Sequence, residues 1–154
     1  MERTGRKRGG VFRWHRGPPF TNTLAFTYAA TVNRYDPSQA PDAAEWLDLD
    51  ELERVLLVEH YHSRARVDLP DLKLHATIHV IAEDQLASHD EVVVRALARL
   101  IEGGLTRHEA IHAIGSVVAE QIYDLLNLGE TPEASRARYY AAIERLTAAD
   151  WRNG

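Results

Sequence analysis

Two segments of the sequence carry the same pair of histidines at the same spacing. Residues 75–81 read HATIHVI and residues 108–114 read HEAIHAI, so each segment holds two imidazoles four residues apart. Residues at this spacing are neighbours on one face of an α-helix, and two such imidazoles can bind one metal ion. On a helical wheel both pairs fall on the same flank of the apolar stripe. We therefore expect the two pairs to meet at one site.

Carboxylates near these histidines extend the candidate ligand set. Glu59 and His62 interrupt the apolar stripe of residues 52–58, and a carboxylate that faces a core is costly unless a cation compensates it. Glu83 and Glu120 are further candidates, either as ligands or as acceptors for ring N–H groups that bind no metal. The predicted metal ligands are Glu59, His62, His75, His79, His108 and His112.

The donor types limit which ion such a site would bind. The chain has no cysteine, so a metal must be held by nitrogen and oxygen ligands. Imidazole and carboxylate suit a tetrahedral zinc ion, whereas the Glu59-x-x-His62 pair would suit a dinuclear iron or manganese centre. The expected cofactor is thus a divalent metal ion. The site would be either structural or catalytic, and a catalytic ion would serve a hydrolase or an oxidase acting on a small molecule.

The second histidine pair also spells the H-E-x-x-H motif of zinc peptidases, in which the glutamate is the catalytic base. Here that residue would be Glu109. Thr106 stands three residues earlier, however, and the pattern T-x-x-E is typical of a capping box at a helix start. Glu109 also falls away from the histidines on the helical wheel. We favour the capping box and keep the peptidase as an alternative.

A further alternative is a non-catalytic interaction module in which the histidines only pack helices together. Such a protein would bind no metal, and a chelator would not change its stability. The sequence does not decide between this module and a metal site, and it does not indicate an oligomeric state.

The composition is that of one globular domain. The chain has 154 residues, of which 45% are hydrophobic and 27% are charged. Residues 1–20 are predicted to be a flexible basic arm, residues 21–46 a connector of uncertain structure, and residues 47–148 the folded domain. The net charge is −5 although the arm is basic, so the rest of the chain is acidic and would repel phosphate. A nucleic-acid partner is therefore not expected.

The sequence also lacks a membrane or targeting signal. No apolar run reaches the roughly 18 residues that a membrane span requires. The segment LAFTYAATV follows a basic start, but its threonines and tyrosine make a poor signal peptide. We expect neither a membrane association nor a targeting segment, which leaves the cytoplasm as the expected location.

Apolar periodicity and capping residues predict an all-α bundle of about four to five helices. The predicted helices cover about residues 48–64, 70–87, 90–102, 106–126 and 131–147, and Pro70 is expected at the first position of the second one. Short links between the second, third and fourth helices predict an up-down-up arrangement. The two helices with histidine pairs would then be parallel.

The segments LHATIHVIAEDQ and GLTRHEAIHAIGSVVAEQIYDLL resemble a group of short bacterial helical proteins that carry the domain of unknown function numbered 1841. The resemblance covers roughly residues 35–127. It implies a bacterial source and a helical fold, but no reaction. It also implies a functional role for His75, His79, Glu83, His108, His112 and Glu120.

Overall fold

The computed structural model describes residues 34–154, and the predicted arm and the first part of the connector lie outside them. The described residues form seven α-helices and no strand, which confirms the predicted all-α bundle. None of these helices is both long and apolar enough to cross a membrane. The helices are α1 (Ala43–Asp48), α2 (Glu51–Arg64), α3 (Leu72–Ala87), α4 (Glu91–Glu102), α5 (Arg107–Asn127), α6 (Pro132–Arg145) and α7 (Ala148–Asn153).

Aspartate or threonine caps the start of every described helix. In each case the side-chain oxygen accepts a hydrogen bond from a backbone N–H of the first turn, which would otherwise have no partner. This chemistry corrects one predicted boundary. Asp71 accepts from the backbone N–H of Leu74, so α3 begins at Leu72 and Pro70 lies outside it.

Two short helices were not predicted from the sequence. The helix α1 lies in the predicted connector, where Asp42 caps it and Trp46 is buried. The helix α7 lies beyond the predicted end of the bundle, where Ala148 is buried against the core. Each has only six residues, which is too short for apolar periodicity to reveal it.

The helix α3 lies between two hydrophobic cores. One core combines α3 with α4, α5, α6 and α7, and its fully buried side chains include Leu100, Ile111 and Ile143. The other combines α3 with α1, α2 and the segment before α1, and it includes Trp46 and Val58. Side chains from α2, α3 and α5 can therefore meet where the two cores adjoin.

The prediction that α3 and α5 are parallel was wrong. Glu83, near the end of α3, binds Arg107 at the start of α5, whereas the earlier residue Ile78 meets Gly115 farther along α5. The last part of α3 thus lies beside the start of α5, and an earlier residue of α3 lies beside a later residue of α5. The two helices are therefore antiparallel. The predicted up-down-up arrangement failed because α4 packs mainly against α5 and α6 and less against α3.

The close approach of α3 and α5 depends on Gly115. A methyl group at this position would lie 2.8 Å from Cγ2 of Ile78. We expect Gly115→Ala to destabilise the protein by about 1–2 kcal/mol in urea unfolding, because the overlap outweighs the better helix propensity of alanine. Adding Ile78→Ala removes the overlap, so the double variant should lose less than the two single losses combined. Strictly additive losses would contradict this contact.

Candidate metal centre

Four histidines from three helices meet where the two cores adjoin. They are His62 of α2, His75 and His79 of α3, and His112 of α5. One ring nitrogen from each lies within 4.8 Å of the others. The first three side chains are only 1–2% exposed and His112 is half-buried. The chain therefore contains a buried histidine cluster that could hold a metal ion.

The ring positions of these four histidines suit one tetrahedral ion. Their six ring-to-ring distances range from 4.3 to 6.3 Å. An ion bound tetrahedrally by four imidazoles at 2.0–2.1 Å would place the ring centres about 5 Å apart. The observed distances lie on both sides of this value, and the largest, between His62 and His112, would have to shorten by about 1.3 Å for tetrahedral coordination.

The hydrogen bonds of His62 fix which of its nitrogens carries hydrogen. Its Nδ1 lies 2.9 Å from the carbonyl oxygen of Val58, one turn earlier in α2. A carbonyl can only accept, so Nδ1 donates and Nε2 has the lone pair. That Nε2 lies 2.9 Å from Nε2 of His75, which must supply the hydrogen of this bond. A backbone acceptor behind a ring is the arrangement that orients metal-binding histidines.

The orientation of His79 is set by Tyr35. The tyrosine hydroxyl donates to Oε1 of Glu83 at 2.9 Å and lies 3.1 Å from Nδ1 of His79. Burial, and after it the charge of Glu83, raises the pKa of Tyr35 well above its usual value of 10, so the hydroxyl keeps its single hydrogen. His79 must then donate from Nδ1, which leaves the lone pair on Nε2. That Nε2 is buried and makes no hydrogen bond within residues 34–154.

Glu83 is held by Arg107 and does not belong to the four-histidine group. The two guanidinium nitrogens donate to its two carboxylate oxygens at 2.8 and 2.6 Å, and one of them also donates to the carbonyl oxygen of Pro37 at 3.0 Å. The Glu83 side chain is completely buried. Glu83 therefore reaches the cluster through Tyr35, whose hydroxyl lies between Glu83 and His79.

Tyr35 and Arg107 were not found by sequence reasoning. Tyr35 lies in the predicted connector, and no local pattern connects it with α3. Arg107 occupies the first position of α5, between a capping threonine and His108, where a basic residue has no local explanation. Only the antiparallel arrangement of α3 and α5 brings Arg107 to Glu83.

Burial keeps the cluster histidines uncharged. It lowers the pKa of His62, lowers the pKa of His75 to about 3, and lowers those of His79 and His112 well below 6.5. For His75, His79 and His112, repulsion from neighbouring histidines lowers the pKa further. Each ring is thus neutral near pH 7, which is the form that binds metal.

His108 adjoins the four-histidine group without belonging to it. Its ring centre lies 4.3 Å from that of His112, 5.4 Å from that of His79 and 5.5 Å from that of His62. It is half-buried, whereas His75 is fully buried. Burial lowers the pKa of His108 to about 4.

The other predicted carboxylate ligands lie apart from the group. Glu59 is half-buried, and the buried face of α2 runs through Val55, Val58 and His62, while Leu52 and Leu56 are 59% and 52% exposed. Glu59 therefore lies at the edge of the stripe and not at its centre, and it is not in the group of close ligand atoms. Glu120 is exposed and is also outside this group.

The predicted capping box at the start of α5 is confirmed. The backbone N–H of Thr106 donates to Oε2 of Glu109 at 2.9 Å, and the backbone N–H of Glu109 donates to the threonine hydroxyl at 3.2 Å. The threonine hydroxyl also donates to the same carboxylate oxygen at 2.9 Å. The glutamate of the H-E-x-x-H motif thus has a structural role at the helix start.

Comparison of the chain with known protein families, characterised proteins and solved structures finds no match. The resemblance to the domain of unknown function numbered 1841 therefore stays a prediction. The function of this protein has to be inferred from its own residues and their geometry.

Two substitutions separate the capping role of Glu109 from a catalytic one. Glutamine can still accept from the backbone N–H of Thr106, so Glu109→Gln should keep the stability of the protein close to that of the wild type. Glu109→Ala removes the acceptor and should cost about 1 kcal/mol in urea unfolding. Any peptidase activity that Glu109→Gln abolished in a folded, metal-loaded protein would contradict the structural role.

The lowered histidine pKa values predict that the metal-free protein loses stability in mild acid. Below the unfolded-state pKa of about 6.5 the unfolded chain binds protons that the folded cluster does not bind. The free energy of unfolding should therefore fall as the pH is lowered through 6.5, and it should go on falling toward the folded pKa values of about 4 for His108 and about 3 for His75.

Urea unfolding between about pH 7.5 and pH 5.5 measures this effect while most carboxylates stay ionised. His108→Phe removes one buried titrating group and should make the pH dependence shallower. His60→Ala, at an exposed position outside the cluster, is the comparison variant. A stability that stays constant or rises as the pH is lowered over this range would contradict the prediction.

Proposed function

We propose that this protein binds one transition-metal ion through His62, His75, His79 and His112. The observation that carries the proposal is the convergence of four ring nitrogens within 4.8 Å in a buried site. The hydrogen bonds of His62 and His79 support it. In each ring Nδ1 bonds to a carbonyl or a tyrosine hydroxyl, so the lone pair is on Nε2, on the other side of the ring. Two ligands are thus oriented in advance, which lowers the entropic cost of binding.

The ligand set favours zinc over the other candidate ions. Imidazole nitrogen suits zinc, copper, nickel and iron, whereas manganese, magnesium and calcium prefer carboxylate and carbonyl oxygen. A dinuclear iron or manganese centre would draw on Glu59, which lies outside the group of close ligand atoms. Zinc also accepts the tetrahedral geometry that the ring distances suit.

The contact between His62 and His75 supports zinc binding between these two rings. Their Nε2 atoms are 2.9 Å apart and share one hydrogen. Two nitrogens bound to one tetrahedral zinc ion lie about 3.3 Å apart, so the two rings need to separate by only about 0.4 Å. His75 then carries its hydrogen on Nδ1, and Nε2 faces the ion.

Four imidazoles would fill the tetrahedral shell of a zinc ion. Structural zinc sites have four protein ligands, whereas catalytic sites keep one position for water or substrate. A hydrolase or an oxidase would need that open position, and a peptidase would also need Glu109, whose carboxylate serves the capping box. The ligand count therefore favours a metal-binding protein over a metalloenzyme.

Metal analysis of protein purified without an affinity tag tests the proposal directly. We expect about one zinc ion per chain and a chelator-induced fall in melting temperature, because an ion that binds only the folded state stabilises it. At a free zinc concentration of 100 times Kd, this stabilisation is about 2.7 kcal/mol. The interaction module without a metal predicts no bound ion and no effect of the chelator, even after zinc is added.

Alanine substitutions identify the ligands. We expect His79→Ala and His112→Ala each to lower zinc affinity by about a hundredfold or more, measured by competition with a chromogenic chelator. Glu59→Ala, His60→Ala and His89→Ala should bind zinc as the wild type does, because none of these three residues is in the group of close ligand atoms. His60 follows Glu59 in α2 and is exposed, so it is a matched control for that helix. Loss of zinc in Glu59→Ala would mean that α2 supplies a carboxylate ligand.

A further inference from the structure

Two histidines, His75 and His108, each lie close to the same three rings of the cluster. His75 has ring-centre distances of 4.3, 4.7 and 5.2 Å to His62, His79 and His112. His108 has distances of 5.5, 5.4 and 4.3 Å to the same three rings. Both sets of distances are close to the value of about 5 Å expected around a tetrahedral ion. By ring-centre distance, either flanking histidine lies near enough to complete the shared triad of His62, His79 and His112, and His75 is the one whose ring nitrogen already lies within 4.8 Å of the others.

The two flanking histidines differ in depth. His75 is 2% exposed. His108 lies in the first turn of α5, is half-buried, and contacts the half-buried ring of Tyr61 at 5.8 Å between ring centres. The exposed carboxylate of Asp36 lies close enough to interact with the charge of His108. His108 therefore exposes more of its surface than His75 does, and it lies near an acidic group.

A nitrogen of His108 has no other role in the described part of the chain. Its Nε2 is buried, and it makes no hydrogen bond there. A buried polar atom without a partner costs about 1–3 kcal/mol, so a residue that only packed against the cluster would be better replaced by an apolar one. Coordination of a metal ion would give this nitrogen a partner.

We infer that His108 and the shared triad form an outer position for the metal ion, through which the ion passes on its way to and from the inner position completed by His75. This inference rests on the proposed metal binding and adds the route of exchange. The bond from the ion to His108 breaks as the bond to His75 forms, while the three shared bonds persist. His75 loses the hydrogen on its Nε2 to a water molecule and gains one on Nδ1 from water, so the step changes no net charge on the protein and involves no electron transfer.

This arrangement makes release of a buried ion possible without unfolding. An ion that left the inner position directly would lose all four ligands inside a core, where the charge is poorly solvated. Transfer to His108 replaces one ligand at a time and moves the ion toward the side of Asp36. Removing His108 should therefore raise the barrier to exchange and leave the inner site intact.

The test compares zinc release from the loaded full-length wild type, His108→Ala and His108→Phe in excess chromogenic chelator. Phenylalanine keeps a ring in place and removes both nitrogens. We expect both variants to bind one zinc ion with an affinity within about threefold of the wild type, and to release it about tenfold more slowly or slower still. His60→Ala is the control and should release zinc at the wild-type rate.

Two further measurements decide whether His108 is an exchange ligand or a permanent one. The absorption spectrum of the cobalt-substituted protein should be the same in wild type and His108→Phe, since the inner position is four-coordinate in both. His75→Ala should keep one ion at the outer position, bound more weakly and released faster.

Release at the wild-type rate in both His108 variants would overturn the inference, as would loss of the ion or a changed cobalt spectrum in them. These outcomes would leave the proposed metal binding in place, because the wild type would still bind zinc. A wild type that bound no zinc would overturn the proposed function itself.

Discussion

The buried ion pair between Arg107 and Glu83 is the interaction on which the site depends. It joins the first residue of α5 to the last part of α3, and through Pro37 and Tyr35 it also holds the segment before α1. A buried pair of this kind is tolerated better when further hydrogen bonds support it, and here Tyr35 donates one to Glu83 and the carbonyl of Pro37 accepts one from Arg107. Because Tyr35 also holds His79, the orientation of a proposed metal ligand depends on a salt bridge that touches no metal.

The parts of this site that could be predicted from the sequence are local. Histidines four residues apart on one helix share a face whatever the rest of the fold does, so the convergence of His75 with His79 and the proximity of His108 to His112 follow from helix geometry. The cap of α5 at Thr106 and the capping box with Glu109 are equally local, since they depend on four consecutive residues. The helical class of the described domain follows from the same periodicity.

The parts that could not be predicted depend on contacts between distant residues. Neither the direction of α5 relative to α3 nor the pairing of Arg107 with Glu83 has a local signal. The position of Glu59 was ambiguous for another reason. Leu52 and Leu56 suggested an apolar stripe on which Glu59 would be central, but both leucines are exposed, and the buried face is shifted toward Val58 and His62. Helix periodicity alone does not say which of two adjoining apolar faces meets the core.

The spread of the site along the chain has a consequence for folding kinetics. Tyr35, His62, His79 and Arg107 come from four separate parts of the sequence, so their contacts close long loops, which are slow to form. An ion that needs all of these parts in place would bind only after they have met, and it would then be absent from the transition state for folding. Interactions of this kind leave the folding rate unchanged and slow unfolding instead. A metal bound at this junction would therefore lengthen the lifetime of the folded chain without helping it to fold.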